Sequence, residues 1–103
     1  QPYLDLWGLD IMSMPKAWKT SVGEGITVAV VDSGVDITHP DIAANVWTNP
    51  YEIPGNGVDD DGNECVDDVH GCDWVVTVPG PNGTDVGTGD VVDPLGHGTH
   101  VAG

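Results

Sequence analysis

An aspartate that closes an apolar run and a histidine set between glycines are the residues of this chain best suited to do chemistry. Asp32 ends "ITVAVVD" (26–32) and is followed by Ser33-Gly34, while His97 stands in "LGHGTHVAG" (95–103) with His100 three residues on. A carboxylate that orients an imidazole leaves the ring free to act as general base toward a nucleophile. The third member of such a set is a serine or a cysteine. The serines here, Ser13, Ser21 and Ser33, do not sit in a glycine-flanked turn that would present a hydroxyl to the histidine. Two other chemistries compete for the same residues. An apolar run followed by Asp32-Ser33-Gly34 is also the signature of an aspartic-protease half-site, which a chain of this length could complete as a homodimer. Against it, "VDITHPDI" after Gly34 is turn-like, the middle of the chain lacks the alternating strands of a barrel, and an aspartic dyad has no use for "HGTH". His97 and His100 as a metal pair lack a third ligand in the motif.

The elements that must position these residues can be read around them. Residues 26–32, bounded by Gly25 and Gly34, form a β-rich apolar run that predicts a parallel strand covered on both faces, the centre of a sheet. Asp32 would then lie at its carboxyl end, where open α/β sheets collect functional groups. Ser13 followed by "MPKAW" predicts a capped short helix with proline in its first turn, and Trp18 is expected to pack inward. From 49 to 94 the texture turns to Gly, Pro, Asn and Asp, which predicts mostly surface loop, with a strand at Val69–Val76. Residues 99–102 read as the opening turn of a helix. The positive end of its dipole would disfavour imidazolium and keep His97 neutral, with His100 packing or hydrogen-bonding a turn later. No repeat or linker divides the chain.

With 103 residues the chain can form one modest core. Seventeen acidic residues against two lysines give a formal charge of −15, which repels phosphate backbones and anionic lipid heads and argues against nucleic-acid or membrane partners. No apolar run is long enough to span a bilayer and no leader opens the sequence, so the chain is expected to be soluble and trimmed at its front. Cys65 and Cys72 are too few for a zinc site and compatible with a local disulfide, which points to an oxidising, extracellular or secreted setting. "NGT" at 82–84 fits a glycosylation acceptor in a surface loop.

Taken together, "VAVVDSGVD" at 28–36, "THPDI" at 38–42 and "HGTHVAG" at 97–103 resemble the subtilisin-like serine proteases, the subtilase family of peptidase S8, and "WGLD" at 7–10 and "KAW" at 16–18 resemble its usual lead-in. The resemblance implies an α/β, three-layer subtilisin-like fold with a largely parallel central sheet, incomplete in this chain. It makes residues 1–103 the N-terminal portion of a single catalytic domain, with an acidic, loop-rich insertion at about 49–94. Asp32 matches the family's triad aspartate and His97 its triad histidine, and Ser33 matches a serine or threonine position beside the aspartate rather than the nucleophile. The family's Gly-Thr-Ser turn and its oxyanion-hole asparagine have no counterpart here, so the chain alone is expected to be inactive. The implied whole is a monomeric serine endopeptidase acting on protein or peptide substrates.

Within the insertion, "NGVDDDGNECVDD" places Asp59, Asp61, Asn63, the carbonyl of Cys65 and Asp67 at alternate positions. This predicts oxygen ligands for a structural calcium ion, although Gly62 falls at position four instead of six and no glutamate stands at position twelve. Asp41, in "HPD", matches a residue that in many subtilases helps to bind structural calcium. A different function class follows from the same loop: a non-catalytic, calcium-loaded binding module on a protease-derived scaffold.

Overall fold

The computed structural model describes residues 6–103. Two short helices open it, α1 (Trp7–Ile11) and α2 (Met14–Ala17), joined through Ser13. Pro15 sits in the first turn of α2 as its fixed φ favours. Ser13 holds the cap position, yet its backbone is left-handed (φ 57°) and its side chain caps nothing. Ser13 therefore turns the chain between the two helices and does not cap α2 as predicted. Trp18 ends α2 with 41% of its surface exposed, so the expected inward packing is not made.

The largest departure concerns residues 26–32. They pair with no strand among the described residues, and Ile26, Val28 and Val31 face outward, Val31 with 97% of its surface exposed. A strand is defined by its ladder, and a central one needs a neighbour on each side. The described chain offers neither. The apolar run keeps the composition of a buried strand and none of its partners.

Strands occur instead inside the segment expected to be mostly loop. β1 (Cys65–Val66), β2 (Asp73–Pro79) and β3 (Asp85–Thr88) form a sheet in the order β1-β3-β2. β1 runs parallel to β3, with Cys65 opposite Gly87, and β2 runs antiparallel to it, with Val78 opposite Val86. The sheet is thus small and mixed. The strand expected at 69–76 begins four residues later and runs on to Pro79, because Asp73 and not Val69 meets Thr88. Between the Asp73 and Val78 pairings β2 arches out of register, and Asp73 Oδ1 accepts the amide of Val75 at 2.7 Å. The hairpin closes where the Gly80 amide reaches the Thr84 carbonyl at 2.9 Å, leaving Asn82 on its exposed tip.

Cys65 and Cys72 are joined by a disulfide that ties β1 to the start of β2, and Gly87 passes so close that any side chain there would strike Cys72 Sγ. This knot is the nearest thing to a core: Cys65 and Val86 are the buried apolar side chains among the described residues. The last element, α3 (His97–Ala102), starts two residues before the expected turn, behind Gly96 at φ 78°.

Candidate active site

Asp32 and His97, sixty-five positions apart, meet side chain to side chain: His97 Nδ1 lies 2.7 Å from Asp32 Oδ1. The carboxylate side chain is 19% exposed and the imidazole 72% exposed, so the ring stands open to solvent on a shielded partner. Asp32 Oδ1 also accepts the amide of Ser33 at 2.7 Å. His97 and then the Ser33 amide hold the Asp32 carboxyl below its ordinary value. The same contact raises the imidazole above its ordinary value, first through the hydrogen bond to Asp32 and then through that carboxylate's charge. The sequence argument that a helix start would favour the neutral ring is therefore outweighed. A carboxylate in contact acts more strongly than the partial charge of a six-residue helix.

Five connections hold Asp32 and the loop after it against α3 and the loop before it. The Val35 amide reaches the Val91 carbonyl at 2.8 Å and the Asp36 amide reaches Thr99 Oγ1 at 2.9 Å. Ser33 Oγ donates to Asp93 Oδ1 at 2.8 Å and accepts the Gly98 amide at 3.1 Å, and the Asp32–His97 pair itself is the fifth. Gly98 is buried, and a Cβ there would collide with the Gly34 carbonyl oxygen. The glycine after the histidine is what lets α3 approach Asp32. Ser33 has its hydroxyl committed on both sides, donating to Asp93 and accepting from Gly98.

Asp93 was one among many acids in the sequence, and the structure makes it the organiser of the site. Oδ1 accepts Ser33 Oγ and the amides of Leu95 (3.1 Å) and Gly96 (2.9 Å). Oδ2 accepts the Thr99 amide at 2.9 Å and its hydroxyl at 2.6 Å. The Thr99 hydroxyl foremost holds this carboxyl far below the usual range. The only sequence signal was its place four residues before His97, with Thr99 two after it. His100, expected to pack or to hydrogen-bond, is exposed.

Most of the calcium candidates accept backbone amides within the loop. Asp59 spends Oδ1 on the amides of Gly62 and Asn63 and Oδ2 on that of Glu64. Asp67 accepts the amides of Asn56 (3.0 Å) and Gly57 (2.9 Å), Asn63 Oδ1 accepts that of Cys65 at 2.9 Å, and Asp41 is exposed. Asp61 alone of the set belongs to a group of three carboxylates able to hold a metal ion, with Glu52 and Asp68.

Residues 23–103 match the model of the subtilase family, and the chain belongs to that family. It is 37% identical over 101 residues to subtilisin-like protease 1 of Plasmodium berghei, covering 94% of this chain and 15% of that protein. It is 30% identical over 99 residues to an intracellular serine protease of Paenibacillus polymyxa (93% of this chain, 21% of that protein). It is 33% identical over 98 residues to the major intracellular serine protease of Bacillus subtilis (93% and 22%). The chain thus spans about a seventh to a fifth of the length of these relatives, and no solved structure matches it. Family membership carries the α/β subtilisin fold, of which the described residues show a mixed three-stranded sheet and short helices. It does not favour the aspartic-protease or the non-catalytic module reading. The secreted setting expected from the cysteines is corrected by the same comparison, since two of these relatives are named as intracellular enzymes. A local cysteine pair is a weak guide to compartment.

Proposed function

We propose that this chain supplies the aspartate and histidine of an Asp-His-Ser triad in a serine endopeptidase that cuts protein or peptide substrates through an acyl-enzyme. The 2.7 Å contact of His97 Nδ1 with Asp32 Oδ1, in a chain of the subtilase family, carries the reading. An ionised carboxylate can only accept, so Nδ1 bears the proton and Nε2 keeps its lone pair. In this reading Nε2 takes the proton of a serine hydroxyl as that oxygen attacks the scissile carbonyl carbon. His97 then returns the proton to the leaving amine, and water repeats the sequence to release the acid. Asp32 stays ionised and fixes the tautomer throughout. The serine comes from outside residues 1–103. The acidic loop, in the same proposal, seats a structural calcium ion, supported by its three clustered carboxylates.

The test is made in the full-length protein. His97→Ala should lower kcat on a peptide substrate by about a millionfold, a magnitude known from subtilisins themselves. His100→Ala should leave kcat near that of the parent, because the side chain is exposed. Equal losses in the two variants, both folded, would contradict the assignment.

A further inference from the structure

The loop between Asn49 and Val69 closes around carboxylates that the active site does not use. Glu52 is 7% exposed. Its Oε1 accepts the amides of Asp60 at 2.9 Å and Asp61 at 3.2 Å, while its Oε2 is buried and has no hydrogen-bond partner. Asp68, also 7% exposed, accepts Asn49 Nδ2 at 3.3 Å and Asn63 Nδ2 at 2.9 Å. Asn49 Nδ2 reaches Asp61 Oδ2 as well, at 3.0 Å. One oxygen from each of Glu52, Asp61 and Asp68 lies within 4.8 Å of the other two.

Every hydrogen-bond donor to this group is a neutral amide. The ion pair formed among the described residues is His97 with Asp32, and no lysine reaches the loop. Three carboxylates gathered in this way, two of them buried and one with an oxygen facing no donor, are strongly unfavourable without a cation. We propose that Glu52, Asp61 and Asp68 are the protein ligands of a calcium ion. This rests on the calcium reading of the loop given above and changes its ligands. Asp59, Asn63 and Asp67 spend their oxygens on backbone amides and so build the loop that presents Asp61 and Asp68. Oxygens bound at the usual calcium distance lie up to about 5 Å apart across the ion, which the observed spread satisfies. A donor set of oxygen alone selects a hard cation over zinc or copper. The ion would pin Glu52 to the residues on either side of Cys65, and hence to the disulfide and β1.

Calcium titration of the full-length protein decides this, in a His97→Ala background so that self-cleavage does not intrude. Glu52→Gln and Asp68→Asn should each bind one calcium fewer per molecule than the parent and lose the calcium-dependent rise in Tm that this ion gives. Glu64→Gln, which removes the same charge from an exposed neighbour, should keep both. Circular dichroism of the calcium-free proteins establishes that each variant is folded, and the two ligand variants serve as independent tests. Loss at Asp59→Asn with retention at Glu52→Gln and Asp68→Asn would overturn the ligand assignment and leave the calcium reading standing. A parent that binds no calcium in the loop, or that magnesium protects equally, would overturn both.

Discussion

At Asp93 a single side chain joins two segments far apart in sequence. It accepts from Ser33 Oγ, from the Leu95 and Gly96 amides, and twice from Thr99, so the loop behind Asp32 and the start of α3 share one anchor. Asp93→Asn keeps the shape but replaces one acceptor oxygen with a donor that faces donors. In the full-length enzyme we expect kcat to fall by up to about a hundredfold with KM little changed, because a misplaced base loses alignment before it loses binding. An unchanged kcat would show that Asp93 serves the fold alone. A second outcome follows from His97, whose imidazole Asp32 raises above its ordinary value. Only the neutral ring accepts a proton, so the acid limb of kcat/KM should fall above about pH 6.5, and Asp32→Asn should move it to lower pH. The linkage has the opposite sense. Since the folded value is raised, the stability contributed by protonated His97 is fully present below the ordinary imidazole value and fades as pH climbs through the raised one. An acid limb at or below the ordinary imidazole value would contradict the pairing.

Among the elements, the disulfide that joins β1 to β2 has the clearest energetic role. It closes a short loop, with a sequence separation of 7. By chain entropy such a bridge is worth about 2.5 kcal/mol, so Cys65→Ser with Cys72→Ser should lower the Tm of the complete protein by several degrees, measured by calorimetry. No change would mean that the sheet registers without it. The same region shows what a sequence can reveal. α2 and α3 were legible because proline and glycine punctuate them, and the Asp32–His97 pairing was legible because its motifs are dense and ordered. β3 was not, since "DVGT" is short, half of it is not β-forming, and its register depends on Cys65 and Asp73 far away in sequence. Residues 26–32 were legible as a strand in composition, whereas pairing is a property of neighbours that these residues do not possess here. Asp93 and Glu52 were invisible for a common reason: an acid's role is set by what surrounds it, and in a chain of charge −15 acids do not stand out.

The whole molecule buries little. It extends 51 × 27 × 21 Å with a radius of gyration of 16.6 Å, where a compact chain of this length has about 13 Å. It exposes 7874 Å², against about 5500 Å² for a folded monomer of its mass. Val28, Val31, Val75 and Leu95 are among the large apolar side chains left outside. So many large apolar side chains in water are unusual for a soluble monomer. We expect residues 1–103 expressed alone to bind a hydrophobic dye and to unfold without a cooperative transition, while the full-length protein shows neither behaviour. A sharp two-state melt of the isolated chain would contradict this.

The wedge formed by Gly98 against the Gly34 carbonyl has a genetic corollary. All glycine codons begin with GG, so every missense change at this position places at least a Cβ between α3 and Asp32, and only third-base changes leave the distance from Asp32 to His97 untouched. In a saturation scan selected for proteolysis, codon 98 should therefore be populated by synonymous survivors alone, alanine included among the dead. The neighbouring codon 100, for an exposed histidine, should accept a broad alphabet.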